Sequence, residues 1–382
     1  SSLKRGARIA SGDDSLIFEP TTDLPELAPD AEILWLGLDQ SNSSLAIGRA
    51  ITVKLFRRLV DGIHPEVEMD RELTLRGFSG MAALVGEVSH VREDGSRATI
   101  AVVQRFVENQ GDGFAWLLEQ AKRLIEDTSS AQVPGSGLEA VANFIEVAGR
   151  RLGEMHKILS QESANPDFAP ARANAQTIAG WQAKSRAQRE SAFAALQSEM
   201  SDEAQFILAH RAEIITASDA ALRKGADHLL TRIHGDLHLG QVLVAAGDAV
   251  IVDFEGEPMK PLKERRAKHS PLRDVAGMMR SFDYVVGSVL RAAPVPAAGQ
   301  SREQAAELLA SFATRASSAF LRGYGKGRGR ALDAREKKLL AAFMLERAAY
   351  EIVYEAKNRP DWLAIPVQGF ATLAAQLVGL AT

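Results

Sequence analysis

Residues 234–257 read HGDLHLGQVLVAAGDAVIVDFEGE, and the order of polar residues in this stretch constrains the rest of the chain. The acid Asp236 is followed five residues later by an amide, Gln241, and 17 residues later by an acidic pair, Asp253 and Glu255. Between them QVLV, AAGD and AVIVDF read as strand, turn and strand, so the second strand returns Asp253 beside the loop that holds Asp236. Each part alone is bland. A lone Asp-x-Glu is a surface turn more often than a metal site, and His234 and His238 alone are core or capping histidines. The ordered set of base, amide, hairpin and acidic pair is harder to dismiss.

Ahead of this stretch the chain is strand-rich. Short apolar runs at 33–38, 44–47 and 50–56 are separated by DQSNS and GR, a three-strand meander. In the third run Thr52, Lys54 and Phe56 share the face opposite Ile51, Val53 and Leu55. HPEVEMDREL then suits a helix start, with Pro65 in the first turn and acids near the positive end. LVGEVSHV, REDGSR and ATIAVVQRFV form a hairpin pattern, and ENQGDG (108–113) closes the strand-rich part. Beyond it Leu138, Val141, Ile145, Ala148, Leu152, Met155 and Leu159 recur at helical steps. Loops are expected at 131–137 and 160–172, and further helices near 272–291, 302–322 and 334–357. GYGKGRGR (323–330) reads as a solvated basic loop. The expectation is an α+β, two-lobed fold with a β-rich N-lobe and a mostly helical C-lobe.

Transfer of a phosphoryl group from ATP needs little covalent machinery. It needs a base for the acceptor hydroxyl, side-chain oxygens for Mg²⁺, a cation on the phosphates and a loop lying over them. Asp236 is the candidate base. Gln241 and Asp253, with Glu255 near, suit a hard cation that keeps waters and phosphate oxygens as its other ligands. Lys54 is the candidate phosphate cation, and Glu68, fourteen residues later, its expected partner. Lys54 alone reads as a snorkelling edge residue; beside the 236–255 set it reads as functional. No glycine-rich loop is present, and Ser41, Asn42, Ser43 and Ser44 stand where one belongs, with hydroxyl, amide and N–H donors to offer.

Composition sets the outer limits. The 382 residues are 46% hydrophobic and 25% charged, ordinary for a globular protein. A net charge of −4 gives no basic field for nucleic acid or an anionic membrane. The absence of cysteine removes thiolate chemistry, disulfides and cysteine-ligated metals, and suits a reducing compartment such as the cytoplasm. No run is long and apolar enough to span a bilayer, and the N-terminal residues lack the apolar core of a signal peptide.

DQSNSSLAIGRAITVKLFRRLVDGIHPEVEMDREL, HGDLHLGQVL, VDFEGEP, SPLRDVAGMMRSFDY and YEIVYEAKNRPDWLAIP together resemble the bacterial maltokinases, from about residue 33 to 370. The resemblance implies a protein-kinase-like fold related to aminoglycoside phosphotransferases. It implies transfer of the ATP γ-phosphate to the anomeric hydroxyl of maltose, feeding α-glucan (glycogen) synthesis from trehalose. It further implies Asp236 as base, Gln241, Asp253 and Glu255 at Mg²⁺, Lys54 on phosphate with Glu68, and 41–44 as the nucleotide loop. The adenine would face the backbone of Gln104, Arg105 and Phe106. On the same basis the domains are a cap remnant at 1–32, an N-lobe at 33–107 and a C-lobe at 108–382. The short cap and the initial Ser suggest a piece of a fusion behind a trehalose synthase.

The acceptor end is read from LERAAYEIVYEAKN, where Tyr350 and Tyr354 form one stripe and Arg347, Glu351 and Glu355 the next. Aromatic faces with carboxylates and Arg suit a sugar, although such a stripe alone is more often core. With the resemblance, His238, Glu351, Tyr354, Arg359 and Trp362 become candidate maltose contacts, while Arg273 and Asp274 buttress the catalytic loop. Two other readings stand: a kinase for glucosamine, another hexose or an aminoglycoside, and a pseudokinase that regulates a partner. The presence of Lys54, Asp236 and Asp253 argues against the last.

Overall fold

The computed structural model describes residues 2–21, 24–36, 42–129, 136–292 and 302–380. In chain order the first elements are β1 (Arg8–Ser11), β2 (Asp14–Pro20), β3 (Ile33–Trp35), β4 (Ser43–Ile47), β5 (Ile51–Leu55), α1 (Pro65–Leu75), β6 (Leu84–Val91) and β7 (Arg97–Arg105). There follow α2 (Gly113–Ser129), α3 (Ser136–Leu159), β8 (Ala171–Arg172), α4 (Ala175–Ala195), α5 (Asp202–Ala209), α6 (Arg211–Leu222) and β9 (Leu229–Leu230). The chain ends with β10 (Val242–Ala245), β11 (Asp248–Ile251), α7 (Leu262–Arg265), α8 (Leu272–Ala292), α9 (Arg302–Arg328), α10 (Ala334–Asn358) and α11 (Ala364–Val378). By contact they fall into two compact units. The first is Ser1–Gly111 with His234–Asp236 and Gln241–Ala267, and the second is the remainder.

In the first unit seven strands form one antiparallel sheet in the order β1-β2-β6-β7-β5-β4-β3. Residues 1–32, expected as the remnant of a cap, supply β1 and β2, and β2 pairs with β6. The Arg92–Ser96 turn between β6 and β7 closes with Gly95 at φ +82°. Helix α1 begins at Pro65, whose missing N–H costs nothing there. It lays Val67 against Phe56, Leu84 and Val102 of the sheet. Ile51, Val85 and Val103 form a second small core, with Leu3 and Leu24 packed on it. The hairpin β10–β11 joins this unit because Ile251 N–H bonds Gly80 O at 2.8 Å and Val244 pairs with Gln110 and Gly111.

The second unit is helical. One of its cores brings Phe193 of α4, Ile207 of α5, Ile214 of α6, Leu345 and Ile352 of α10, and Phe370 of α11 together. An Asp333–Glu336 capping box starts α10, and α10 stops just ahead of Pro360. The expected loop at 131–137 lies mostly outside the described residues.

The loop expected at 323–330 is a correction, because α9 continues as helix to Arg328. Its glycines serve close packing. A Cβ at Gly323 would stand 1.9 Å from Glu146 O of α3, and one at Gly327 2.1 Å from Arg150 O. Across the crossing, a Cβ at Gly149 would meet Phe320 O at 2.2 Å. Glycines four apart on each helix let two backbones touch, which offsets the roughly 1 kcal/mol each costs in a helix. The basic residues are paired, Lys326 with Glu146 and Arg328 with Glu336. Gly329, at φ +88°, ends the helix.

Candidate active site

In the first unit Lys54 projects from β5 and its ammonium lies 2.8 Å from Glu66 Oε2 and in direct contact with Asp253. The carboxylate on Lys54 is therefore Glu66, where the sequence reading placed Glu68. The reason is helical phase. Pro65 fixes the start of α1, so Glu66, Asp70 and Leu73 share the stripe facing the sheet, and all three are buried. Glu68 lies on another face and takes Arg266 through two bonds, 2.9 and 2.7 Å. Burial disfavours the Lys54 ammonium, but Glu66, Asp253 and Glu255 more than compensate and raise its pKa. Glu66 carries the cost: burial pushes its carboxyl up to about 7 in spite of Lys54.

The β10–β11 hairpin explains the spacing of the quoted stretch. Its register pairs Val242 with Ile251 and Ala245 with Asp248, leaving a two-residue turn at Ala246 and Gly247. Val252 N–H then bonds Gln241 O at 3.0 Å, so Gln241 and Asp253 emerge together at the open end. Gln241 Nε2 donates to Asp253 Oδ2 at 2.9 Å. Asp253 sits at φ +69°, a left-handed conformation that costs a non-glycine residue about 1 kcal/mol or more and recurs at functional sites. Burial works against its charge, yet the Lys54 ammonium, with hydrogen bonds from Lys54 and Gln241, holds its pKa below the usual range.

His234 fixes the loop bearing Asp236. Its Nε2 donates to Val252 O at 2.9 Å and its Nδ1 accepts the Asp236 N–H at 3.4 Å. This buried ring thus links the loop to the residue before Asp253.

Of the remaining expected groups, Ser41 lies outside the described residues. Asn42 is buried and donates to Glu255 Oε1 at 3.4 Å. Ser43 and Ser44 belong to β4, where Ser43 Oγ accepts from Arg57 and Ser44 pairs with Lys54 across the strands. Gln104 and Arg105 end β7, and Phe106 follows it. Arg105 N–H goes to Ala83 O and Phe106 N–H to Ala50 O, and the Gln104 side chain donates to Asp70 at 2.6 Å. These donors are therefore engaged within the protein. Glu255, expected at or beside the metal, has both carboxylate oxygens engaged. Arg265 lies 3.1 Å from its Oε2 and Asn42 bonds its Oε1, so its oxygens hold the loop together.

Of the groups expected at Mg²⁺, Gln241 and the ionised Asp253 emerge together at the open end of the hairpin. No group of three His, Asp or Glu among the described residues could hold a metal alone. Two protein oxygens nevertheless fit a cation that takes its other ligands from water and phosphate.

In the second unit the sugar candidates lie on α10 and just after it, apart from His238. Tyr350 and Tyr354 stack, and Arg359 lies 5.5 Å from the Tyr354 ring and 5.0 Å from that of Trp362. Arg291 lies 5.0 Å from the Trp362 ring, and this indole lines a cavity of about 410 Å³ with Phe114 and Leu118. Sequence reasoning missed a buried ladder beneath. Arg280 of α8 pairs with Glu351 at 2.8 Å, Tyr284 donates to Glu355 at 3.0 Å, and Arg359 bonds Glu355 at 2.5 and 2.8 Å. The signal was present as Arg280 and Tyr284 one turn apart, on a helix read only for its apolar positions. His238 Nδ1 accepts Gly240 N–H at 3.1 Å within its own turn. Arg273 pairs with Glu346 and Asp274 with His156, both inside the helical unit.

The profile of the phosphotransferase enzyme family (APH) matches residues 53–256, more than half of the chain. A glucosamine kinase of Mycolicibacterium smegmatis is 28% identical over 332 residues, 86% of this chain and 76% of that protein. A glucosamine kinase of Streptacidiphilus jiangxiensis is 25% identical over 367 residues, 94% of this chain and 76% of that protein. A solved glucosamine kinase in complex with glucosamine, ADP and inorganic phosphate superposes with a TM-score of 0.74 at 22% identity. That superposition covers 97% of this chain and 81% of the other. The fold, a β-sheet N-terminal region followed by a helical C-terminal region, is kinase-like. No described helix is long and apolar enough to cross a membrane.

Proposed function

This chain belongs to the phosphotransferase enzyme family, and from that premise we propose that it moves the γ-phosphate of ATP to a hydroxyl of glucosamine or a close amino sugar. The observation that carries the reading is the Lys54 cluster. A buried ammonium held between Glu66 and Asp253, with Gln241 on Asp253, matches the electrostatic parts that phosphoryl transfer needs. Lys54 orients the phosphates, and Asp236, carried by the His234 brace, takes the acceptor proton. Gln241 and Asp253 would hold Mg²⁺, which when bound neutralises phosphate charge. ADP in the solved relative supports ATP as donor.

The acceptor follows the relatives. Two proteins similar over 86% and 94% of this chain are named glucosamine kinases, which favours an amino sugar over the maltose expected from the sequence blocks. Maltose stands as the second reading, supported by those blocks alone. ATP consumption measured over glucosamine, maltose, glucose, trehalose and kanamycin separates them. We expect the highest kcat/KM with glucosamine; maltose turnover at a higher kcat/KM would overturn the acceptor assignment. Asp236→Asn is the control and should lose about 10²–10⁴-fold in kcat while ADP still raises the melting temperature.

A further inference from the structure

The second unit contains a cavity of about 370 Å³ that the reading above does not use. Its walls come from the end of α3, from β8 and β9, from the turn after α6, and from the α9–α10 connection. It is rich in charge, and the charges do not cancel. Arg328 and Arg330 both converge on Glu336, at 2.7 and 2.8 Å, and Arg330 also faces Asp333 at 3.8 Å. Arg172 is matched by Asp227 at 3.6 Å. That uses every carboxylate of the lining.

Three cations make no ion pair among the described residues, although the charge of Arg335 also acts on Asp333. Arg335 hydrogen-bonds only main-chain carbonyls, those of Lys224 and Ala226, at 3.3 and 2.9 Å. Lys157 and Lys224 have no side-chain partner there. His228 also lines the cavity. Leu229, Pro271 and Leu339 give the lining an apolar component. The Tyr324 ring is buried and its hydroxyl contacts His156, so it offers no face on which a nucleobase could stack.

We propose that this cavity binds a small phosphate monoester of about hexose phosphate size. Its dianionic phosphate would lie among Lys157, Lys224 and Arg335. A volume of this size holds one such molecule and suits the lower end of small-ligand pockets. The inference does not depend on which sugar the enzyme phosphorylates.

Isothermal titration of the full chain with glucose 6-phosphate tests it, with ADP and Mg²⁺ saturating and chloride held constant. A parallel titration uses inorganic phosphate. The comparison is the double variant Lys157→Glu/Lys224→Glu, which reverses two exposed side chains outside the catalytic set. Wild type should show a binding isotherm that the variant weakens by at least about tenfold, the effect of losing even one of its two charge-assisted contacts. The variant's melting temperature and turnover without added phosphate should match wild type. Tighter binding of glucose 6-phosphate than of inorganic phosphate supports the monoester, and equal or tighter binding of inorganic phosphate overturns it. Identical isotherms for variant and wild type, or no heat in either, would overturn the site.

Discussion

Replacing Glu66 by Gln tests the arrangement around Lys54 most directly. The Lys54 ammonium is 2.8 Å from Glu66 Oε2, and the two side chains are only 12% and 1% exposed. A charge-assisted hydrogen bond in such a place contributes about 1.5–3 kcal/mol. If that energy positions Lys54 on the phosphates, kcat/KM for ATP should fall about 10–10²-fold. The variant should not fail by unfolding. Burial raises the Glu66 pKa to about 7 from 4.5, so between those values the folded chain holds a proton that the unfolded chain has released. The charged carboxylate therefore costs stability as pH rises through that window, and Glu66→Gln at pH 8 should melt at or above the wild-type temperature. The same shift gives a second readout. Wild-type activity should decline as pH falls through about 7 while Glu66 takes up its proton, and the variant should lack that limb. Glu68→Gln is the contrast, since it breaks the Arg266 pair and leaves the Lys54–Glu66 contact in place. The assay is steady-state ATP consumption with saturating acceptor, alongside thermal melting. Wild-type kcat/KM in Glu66→Gln, with a tenfold or greater loss in Glu68→Gln, would refute the reasoning.

His64, stacked on Phe56 at 3.8 Å, is kept neutral down to about pH 3 by burial and by Arg265 and Lys54, against the opposing pull of Asp253. The unfolded chain protonates it below about 6.5, so it removes stability as pH falls, roughly 2 kcal/mol between pH 6.5 and 5; His64→Phe should flatten that part of a melting-temperature profile. Gly323→Ala should destabilise by about 1–3 kcal/mol in chemical denaturation despite its better helix propensity, because its Cβ would stand 1.9 Å from Glu146 O. Glu351→Ala should lower the melting temperature by several degrees, since it strips a partner from Arg280, which is 1% exposed; breaking a buried pair costs about 3–5 kcal/mol. A role confined to sugar contact would raise KM for the acceptor and leave melting unchanged.

What the sequence made legible was whatever depends on short-range pattern. The β5 alternation put Lys54 opposite Ile51 and Val53, and Pro65 marked the start of α1. The apolar runs on either side of Gly247 declared a hairpin. What escaped depends on which face of an element meets a neighbour. Glu66 and Glu68 both lie in the first turn of α1, and helix phase together with Arg266 decides which reaches Lys54. GYGKGRGR shows the same limit. Composition alone reads as loop, and only the matching Gly149 and Gly153 on α3 reveal glycine as the residue that lets two helices touch.

The acceptor was the least legible part, for a physical reason. Lys54, Gln241 and Asp253, as proposed, would act on phosphate and metal, which ATP-dependent transfer needs whatever the acceptor, so their spacing carries no word of the sugar. The residues chosen as sugar contacts were those whose side chains can bind sugars, yet the same chemistry builds buried ion pairs. Glu351 is held by Arg280, and Glu355 by Tyr284 and Arg359, so their carboxylates are committed before any ligand arrives. Were the acceptor to bind at this segment, selectivity would rest on the groups this ladder supports rather than on its rungs. Tyr354 keeps 43% of its surface exposed, and Trp362 lines a cavity with an arginine on its ring. An acceptor that binds here meets aromatic faces whose positions the ion pairs beneath them set.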